Sequence, residues 1–319
     1  MGILNFFKEQ KNKKELNRIV DKVEIYQQAK DFVNKALSYR NIKDFDNAIK
    51  ILEKVLKEYP NYKAANLVYG VTLRLAGKVD KALSFFNELL LMDNGSGVYN
   101  PKEIYANIGV IYLFDKDQPD KALDYYYSAL KAPNCPNLDE KGNNIIMSNI
   151  HRDIAYVFFV LQKYKDSIEF AKKRLNVQNK CPTSSKILGL SKINIFINGQ
   201  LDMGYFANAI KNTEVVDAIE KLNVAYEEND KDYAVINGLV LGYYLLSQMP
   251  YYNTDEKKNE YLDRMHTKFF NILDVDSKVN NAANYYFDMY NNLQMSIGVQ
   301  ILKYLHPGLS IELNPPQSE

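Results

Sequence analysis

The chain has little with which to build a metal site or a nucleophilic centre. Its 319 residues include two cysteines, Cys135 and Cys181, three histidines, His151, His266 and His306, and no tryptophan. Two cysteines, each beside a proline in a loop-like stretch, make neither a disulfide framework nor a thiolate metal site. They are simplest to place in a reducing compartment, which points to the cytoplasm. The histidines stand far apart and none belongs to a zinc-binding HExxH pair, so each reads as a surface or groove residue and no metal is expected. Charge of one sign is also lacking. Lysine and arginine number 40 against 39 aspartates and glutamates, which gives no global attraction for nucleic acid, and none is expected as a partner. No apolar run is long enough to span a bilayer. The first residues, MGILNFFKEQKNKK, put the apolar patch before the charges, the reverse of a secretory signal. Gly2 invites a myristoylation check, but Phe6 stands where serine or threonine is required.

Phosphate and calcium loops are missing too. The segment DNGSG (93–97) lacks the GK[ST] that would make it a phosphate loop and reads as a connection between helices. Asp115, Asp117 and Asp120 lack the glycine and glutamate that complete an EF-hand, so they read as a solvated turn. No nucleophile elbow and no Cys–His pairing stands out. No catalytic residue and no cofactor is therefore expected, and an enzyme is the weakest reading. Strand-type alternation of useful length is absent, as is any Gly/Ser/Pro-rich linker.

What the sequence does have is a repeat. Aligning residues 29–62 with 63–96 brings Ala36 onto Gly70, Arg40 onto Arg74, Ala48 onto Ala82 and Leu52 onto Phe86, each pair 34 residues apart. Within a unit, one small residue follows another after 12 positions: Ala36 and Ala48, Gly70 and Ala82, Ala155 and Ser167. Gly109 and Ala122 are 13 apart, which predicts a one-residue insertion in DKDQPD. Two antiparallel helices come close only where both present small side chains, and large residues such as Phe32, Tyr39, Phe45 and Leu52 then flank the contact. Pro60 ends the second helix of the first unit. Gly77 marks the turn of the next hairpin. Asp46, Asp80, Asp120 and Asp166 stand at or near the starts of second helices, where a carboxylate meets orphan N–H groups and the positive end of the dipole. The 25 tyrosines and 15 phenylalanines suit helix–helix seams of limited depth.

This pattern resembles the tetratricopeptide repeat, a 34-residue helix–turn–helix unit. The first unit matches through Phe32, Ala36, Tyr39, Phe45, Ala48, Leu52 and Pro60. The second matches through Gly70, Leu73, Gly77, Ala82 and Phe86, with Asn94 where proline belongs. The third keeps Tyr105, Gly109, Tyr112, Ala122, Tyr126 and Ala129. The fourth keeps Ala155, Phe158, Tyr164 and Ile168, with Arg174 at a normally small position. The resemblance implies an all-α fold, an α-α superhelix in which antiparallel helix pairs stack as a solenoid. Four repeats are expected over residues 29–180. A capping segment (1–28) precedes them, with Leu16, Ile19, Val20 and Val23 on one helical face. Diverged helical repeats and a capping helix (181–305) follow, then a frayed tail (306–319). In the diverged part, residues 187–197 and 232–246 read as first helices and 217–230 as a second helix. Residues near 201–212, 255–273 and 278–305 also read as helical.

Family members line a concave groove with their first helices. Carried onto this chain, the groove holds Val33, Arg40, Leu67, Arg74, Asn107, Val110, Arg152, Tyr156 and Lys186, with Val71 and Leu75 extending an apolar floor. Arg40 and Arg74 occupy equivalent places and suggest a ligand with acidic groups. The carboxylate clamp of chaperone-binding members is not matched, since Val33, Leu37, Val68, Glu103 and Asn107 stand at its positions. The resemblance thus implies a protein- or peptide-binding adaptor or scaffold in the cytoplasm. A peptide-sensing regulatory receptor and a self-assembling structural protein are the alternatives. Ile3, Leu4, Phe6 and Phe7 with the lysines up to Arg18 also allow peripheral membrane contact through residues 1–18, against a reading as a capping start.

Overall fold

A computed structural model describes residues 27–95, 97, 99–136, 138–199, 212–248 and 255–275. The expected amino-terminal helical face, the helix placed over 278–305, most of that near 201–212, the tail and the membrane-contact segment lie outside these residues. The described residues are helical, with no strand among them. The helices are α1 (27–41), α2 (Phe45–Glu58), α3 (Lys63–Leu75), α4 (Val79–Asp93), α5 (Pro101–Val110), α6 (Pro119–Lys131), α7 (Glu140–Val160), α8 (Tyr164–Val177), α9 (Pro182–Gly199), α10 (Asn212–Glu228), α11 (Tyr233–Gln248) and α12 (Asp255–Val275). The chain divides into two compact units, residues 1–150 and 151–319, the division falling within α7.

In the amino-terminal unit the helices form consecutive hairpins, α1–α2, α3–α4 and α5–α6. The small residues seen in the sequence are where paired helices meet: Ala36, Ala48, Gly70, Ala82, Gly109 and Ala122 are all buried. Their sizes are matched to what faces them. A Cβ built on Gly70 would stand 2.4 Å from the ring of Phe86, and one on Gly109 would stand 2.9 Å from the ring of Tyr126. Where the first helix carries Ala36, the equivalent residue of the second helix is Leu52, in the same buried cluster as Val33 and Val55. Glycine is thus paired with an aromatic ring and alanine with a smaller side chain, so the paired helices stay in close contact at these positions.

The hairpin turns share one device. A residue with positive φ ends each of the first helices α1, α3 and α7: Lys43 (61°), Gly77 (74°) and Gln162 (58°). The next N–H bonds back five residues, Asp44 to the Tyr39 carbonyl (2.9 Å), Lys78 to Leu73 (2.9 Å) and Lys163 to Phe158 (2.8 Å). This is a Schellman ending, which satisfies carbonyls the helix leaves open. The third hairpin differs. Residues Ile111–Asp115 form a π-helical turn, and the Gln118 N–H reaches back six residues to Tyr112 (2.8 Å). The extra residue between Gly109 and Ala122 is therefore absorbed mainly as a widened helical turn, not as a longer loop.

Second helices begin as their composition requires. Asp46, Asp80, Asp120 and Asp166 lie in first turns, where their charge opposes the dipole. In α2 the cap itself is Asp44, whose carboxylate accepts the Asn47 N–H at 3.2 Å. At the end of α4, where proline is missing, Asn94 takes a left-handed conformation (φ 44°). The buried Asp93 carboxylate then accepts the N–H groups of Gly97 (2.8 Å) and Tyr99 (2.7 Å) and fixes the connection to α5.

In the carboxy-terminal unit α9 and α11 flank α10. Glycines again mark the close approaches. A Cβ on Gly189 would meet Leu222 at 2.6 Å, one on Gly238 would meet Leu190 at 2.7 Å, and one on Gly242 would meet Ile219 at 2.7 Å. α11 is buried on nearly all sides and centres the core with Leu222, Ile236, Leu239, Val240 and Met265. The buried Lys192 ammonium clips α9 to α10 by bonding the carboxylates of Asp217 and Glu214, the latter at 2.6 Å. Ser167, at the small position of α8, donates to the Ala155 carbonyl (2.8 Å) and accepts from the Ser191 hydroxyl (2.9 Å). Arg174, also at a normally small position, is buried, with its guanidinium bonded to the Gln178 side-chain oxygen at 2.8 Å.

Candidate binding groove on the first helices

The residues expected to face a groove lie on α1, α3, α5, α7 and α9, and the structure gives them unequal parts. In the amino-terminal unit, Val33 is 4% exposed and packs among Ala29, Ala36 and Leu52, so its role there is core packing. Leu67, Val71 and Val110 are half-buried, each with part of its surface open. The Asn107 amide donates to the Glu103 carbonyl one turn earlier at 2.8 Å. Burial raises the Glu103 carboxyl, against a lowering hydrogen bond from Asn100.

The cations are mostly spent within the chain. Arg74 Nε bonds Asp115 Oδ2 at 2.5 Å, joining the end of α3 to the π-turn that follows α5. In the carboxy-terminal unit, Arg152 pairs with its neighbour Asp153 at 2.6 Å. Burial raises the Asp153 carboxyl, and the Arg152 charge and hydrogen bond pull it back. Lys186 pairs with Asp232 at 2.6 Å, and Tyr156 packs on a cluster that includes Ala155, Ile187 and Leu188. Arg40, half-buried at the end of α1, has no carboxylate partner among the described residues. Arg40 and Arg74 are therefore equivalent by position but not by charge environment.

An exposed apolar row is the feature that the residue types alone did not complete. Leu75, at the end of α3, is 45% exposed, and Phe114, in the π-turn, is 56% exposed. Leu67, Val71 and Leu75 are spaced one turn apart along α3. Ala106, Val110 and Phe114 repeat that spacing along α5 and its π-turn, at equivalent places. Phe114 is not marked as a surface residue in the sequence because the stretch around it reads as a turn. The 13-residue spacing was the available sign, since it requires an extra residue near that point. The three acidic residues of that stretch have structural roles: Asp115 pairs with Arg74, Asp117 takes a positive φ of 51°, and Asp120 lies in the first turn of α6.

Both cysteines are free and buried, Cys135 between α6 and α7 and Cys181 just before α9. His151 is half-buried against the Phe170 ring, 5.8 Å between centroids, and burial, then the Lys173 charge, lowers its pKa. Among the described residues no cluster of potential metal ligands occurs, and no helix is long and apolar enough to cross a membrane.

Comparison with known proteins agrees with this architecture. A family model described as Tetratricopeptide repeat matches residues 43–100, from the first hairpin turn to the start of α5. No curated protein matches the chain. Among solved structures, pilF of Pseudomonas aeruginosa superposes with a TM-score of 0.52 at 14% identity, covering 88% of this chain and 99% of that one. A signal transduction ATPase with a tetratricopeptide repeat sensor, from Pyrococcus horikoshii, gives 0.52 at 15% identity, covering 78% of this chain and 37% of that one. PilW, described as a type IV pilus biogenesis factor, gives 0.49 at 16% identity, covering 86% and 98%. At these identities the likeness to pilF and to the sensor ATPase is one of fold.

Proposed function

We propose that this chain, with its tetratricopeptide-type helix pairs and a tetratricopeptide repeat match over residues 43–100, works as an adaptor that holds a segment of another protein against the first helices of its amino-terminal unit. The observation that carries this reading is the apolar row of Leu67, Val71 and Leu75 on α3 and the equivalent Val110 and Phe114 on α5 and its π-turn, two elements joined by the Arg74–Asp115 pair. A monomer gains nothing by leaving Leu75 and Phe114 in water, whereas a partner segment laid along them removes that surface from solvent. Arg74 is neutralised by Asp115 and serves to fix the two helix ends. Among the described residues Arg40 is the expected groove cation without a carboxylate partner, so it can meet an acidic group on the partner while the row makes apolar contact the main source of affinity. Binding, not catalysis, is the activity this arrangement suits.

The test is capture of proteins from native lysate by the immobilised full chain, compared with a Leu75→Asp/Phe114→Asp variant. Both side chains are about half exposed, so circular dichroism first checks that the variant is folded. Burying the exposed half of each on binding is worth about 0.7 kcal/mol or more, so the double variant should weaken capture about tenfold or more. Leu91→Asp, at an exposed position on α4 (80%), is the control and should leave capture intact. Equal capture by all three proteins would remove the groove as the binding surface. A loss on Arg40→Glu alone would shift the emphasis from apolar contact to charge.

A further inference from the structure

The α3–α4 hairpin contains a cleft of about 400 Å³, and the other hairpins show what it lacks. Its apolar lining is Leu73 with Tyr69 and Phe85, whose rings meet edge to face at 5.0 Å and 80°. Asp80, Lys81, Ser84 and Glu88 also line it.

The place of Leu73 is aromatic in the three other aligned repeats, where Tyr39, Tyr112 and Phe158 stand. In the third hairpin Tyr112 stacks on Tyr125, 5.1 Å between centroids and 7° between planes, and the Lys121 ammonium lies 4.2 Å from the Tyr112 ring centroid. Phe85 and Lys81 are the counterparts of Tyr125 and Lys121 by alignment. In the fourth, Phe158 lies 5.7 Å from Phe170. The second hairpin thus keeps the stacking partner and the cation of the third, but a leucine replaces the ring that both of them contact there. Tyr69, one turn earlier, covers part of Phe85, and its hydroxyl is held by Glu53 at 3.1 Å. Asp80 is engaged by Lys116 at 2.9 Å, which leaves Lys81 as the cation lining the cleft.

We propose that this cleft receives an aromatic side chain, tyrosine or phenylalanine, from a partner polypeptide. The incoming ring would stack on Phe85 as Tyr112 stacks on Tyr125, with Lys81 over its outer face as Lys121 lies over Tyr112. None of the groove residues invoked above lines the cleft, so this site does not depend on the groove reading.

The probe is N-acetyl-L-tyrosinamide, with saturation transferred from the full-length protein by NMR and N-acetyl-L-leucinamide as the aliphatic comparison. Tyrosinamide should bind, and leucinamide should bind about two- to ten-fold more weakly, the range a favourable ring pair commands. Lys81→Met should weaken tyrosinamide about two- to five-fold. Leu73→Tyr supplies the missing ring from within and should abolish binding. Ser84→Trp, at an exposed helix position, covers the mouth and should do the same should the Leu73 variant fold poorly. No tyrosinamide binding to the unaltered protein, equal binding of leucinamide, or full binding to the Ser84 variant overturns the proposal. Binding of free p-cresol without binding of tyrosinamide overturns it as well, by assigning the cleft to small aromatics instead of a polypeptide.

Discussion

Replacing Gly70 by alanine separates two effects of opposite sign. In the interior of a helix, alanine is favoured over glycine by about 1 kcal/mol, so in open surroundings the change should stabilise. At this position the added methyl would fall 2.4 Å from Cζ and 2.5 Å from Cε1 of Phe86. The ring is fully buried and cannot swing into solvent, so α3 must move off α4 or the ring must leave its rotamer. Overpacking of this kind costs about 1–3 kcal/mol, which leaves a net loss centred near 1 kcal/mol. A second change supplies the sharper test. Phe86→Leu alone removes buried volume and should cost roughly 1–2 kcal/mol. Together, Gly70→Ala and Phe86→Leu recreate the combination the first hairpin already uses in Ala36 and Leu52. The double variant should therefore be more stable than the sum of the singles by about 1 kcal/mol or more. Urea denaturation followed by far-UV circular dichroism gives the midpoints. Amide exchange in α3 and α4 shows whether the loss is local, as expected where each repeat leans mainly on its neighbours. A stabilised Gly70→Ala protein, or strict additivity in the double variant, would refute the idea that these two residues are matched in size.

Three further outcomes follow from buried polar groups. Ser167→Ala should cost about 1–3 kcal/mol, because it leaves the buried Ser191 hydroxyl without its acceptor, while Ser167→Ala/Ser191→Ala should be close to neutral; thermal melts of the three variants compare them. Arg174→Met should be neutral or stabilising by about 1 kcal/mol or more, since the buried guanidinium has a buried Nε without a hydrogen-bond partner and its bonded partner Gln178 is uncharged; a clear fall in denaturation midpoint would contradict this. Burial, then the Glu53 charge and hydrogen bond, raises Tyr69 from 10.0 to about 12. The folded state therefore favours the neutral phenol. Its contribution is complete below about pH 10 and is lost as pH rises through 12, so Tyr69→Phe should flatten the alkaline fall in stability and remove one late step from the tyrosinate absorbance titration.

Most of the helical framework can be read from small residues, because the requirement they meet is local and steric. Ala36 with Ala48 and Gly70 with Ala82 mark hairpin contacts wherever they recur, and the spacing between them sets the turn. That spacing fails to say how a turn is made. Lys43 and Gln162 occupy left-handed conformations that glycine takes at Gly77, and nothing in a lysine or glutamine announces it. The extra residue after Gly109 shows the same limit. A spacing of 13 demands one more residue but is silent on whether it widens a helix or lengthens a loop. The Tyr112–Gln118 hydrogen bond decides for the helix.

The groove was less legible because its cations find partners that are distant in sequence. Arg40 and Arg74 are indistinguishable by alignment, yet Asp115, 41 residues beyond Arg74, cancels one of them. The same π-turn that brings Asp115 to Arg74 also holds Phe114 in solvent beside it. One inserted residue therefore accounts for two departures from the expected surface, the lost charge and the added ring. Both act in the same direction. They turn a face that sequence equivalence presents as a pair of arginines into one where apolar side chains stand open and the guanidinium between them is neutralised. On the proposed reading, a partner selected by that face would be recognised first by the hydrophobic surface it can bury, with charge refining the choice at Arg40.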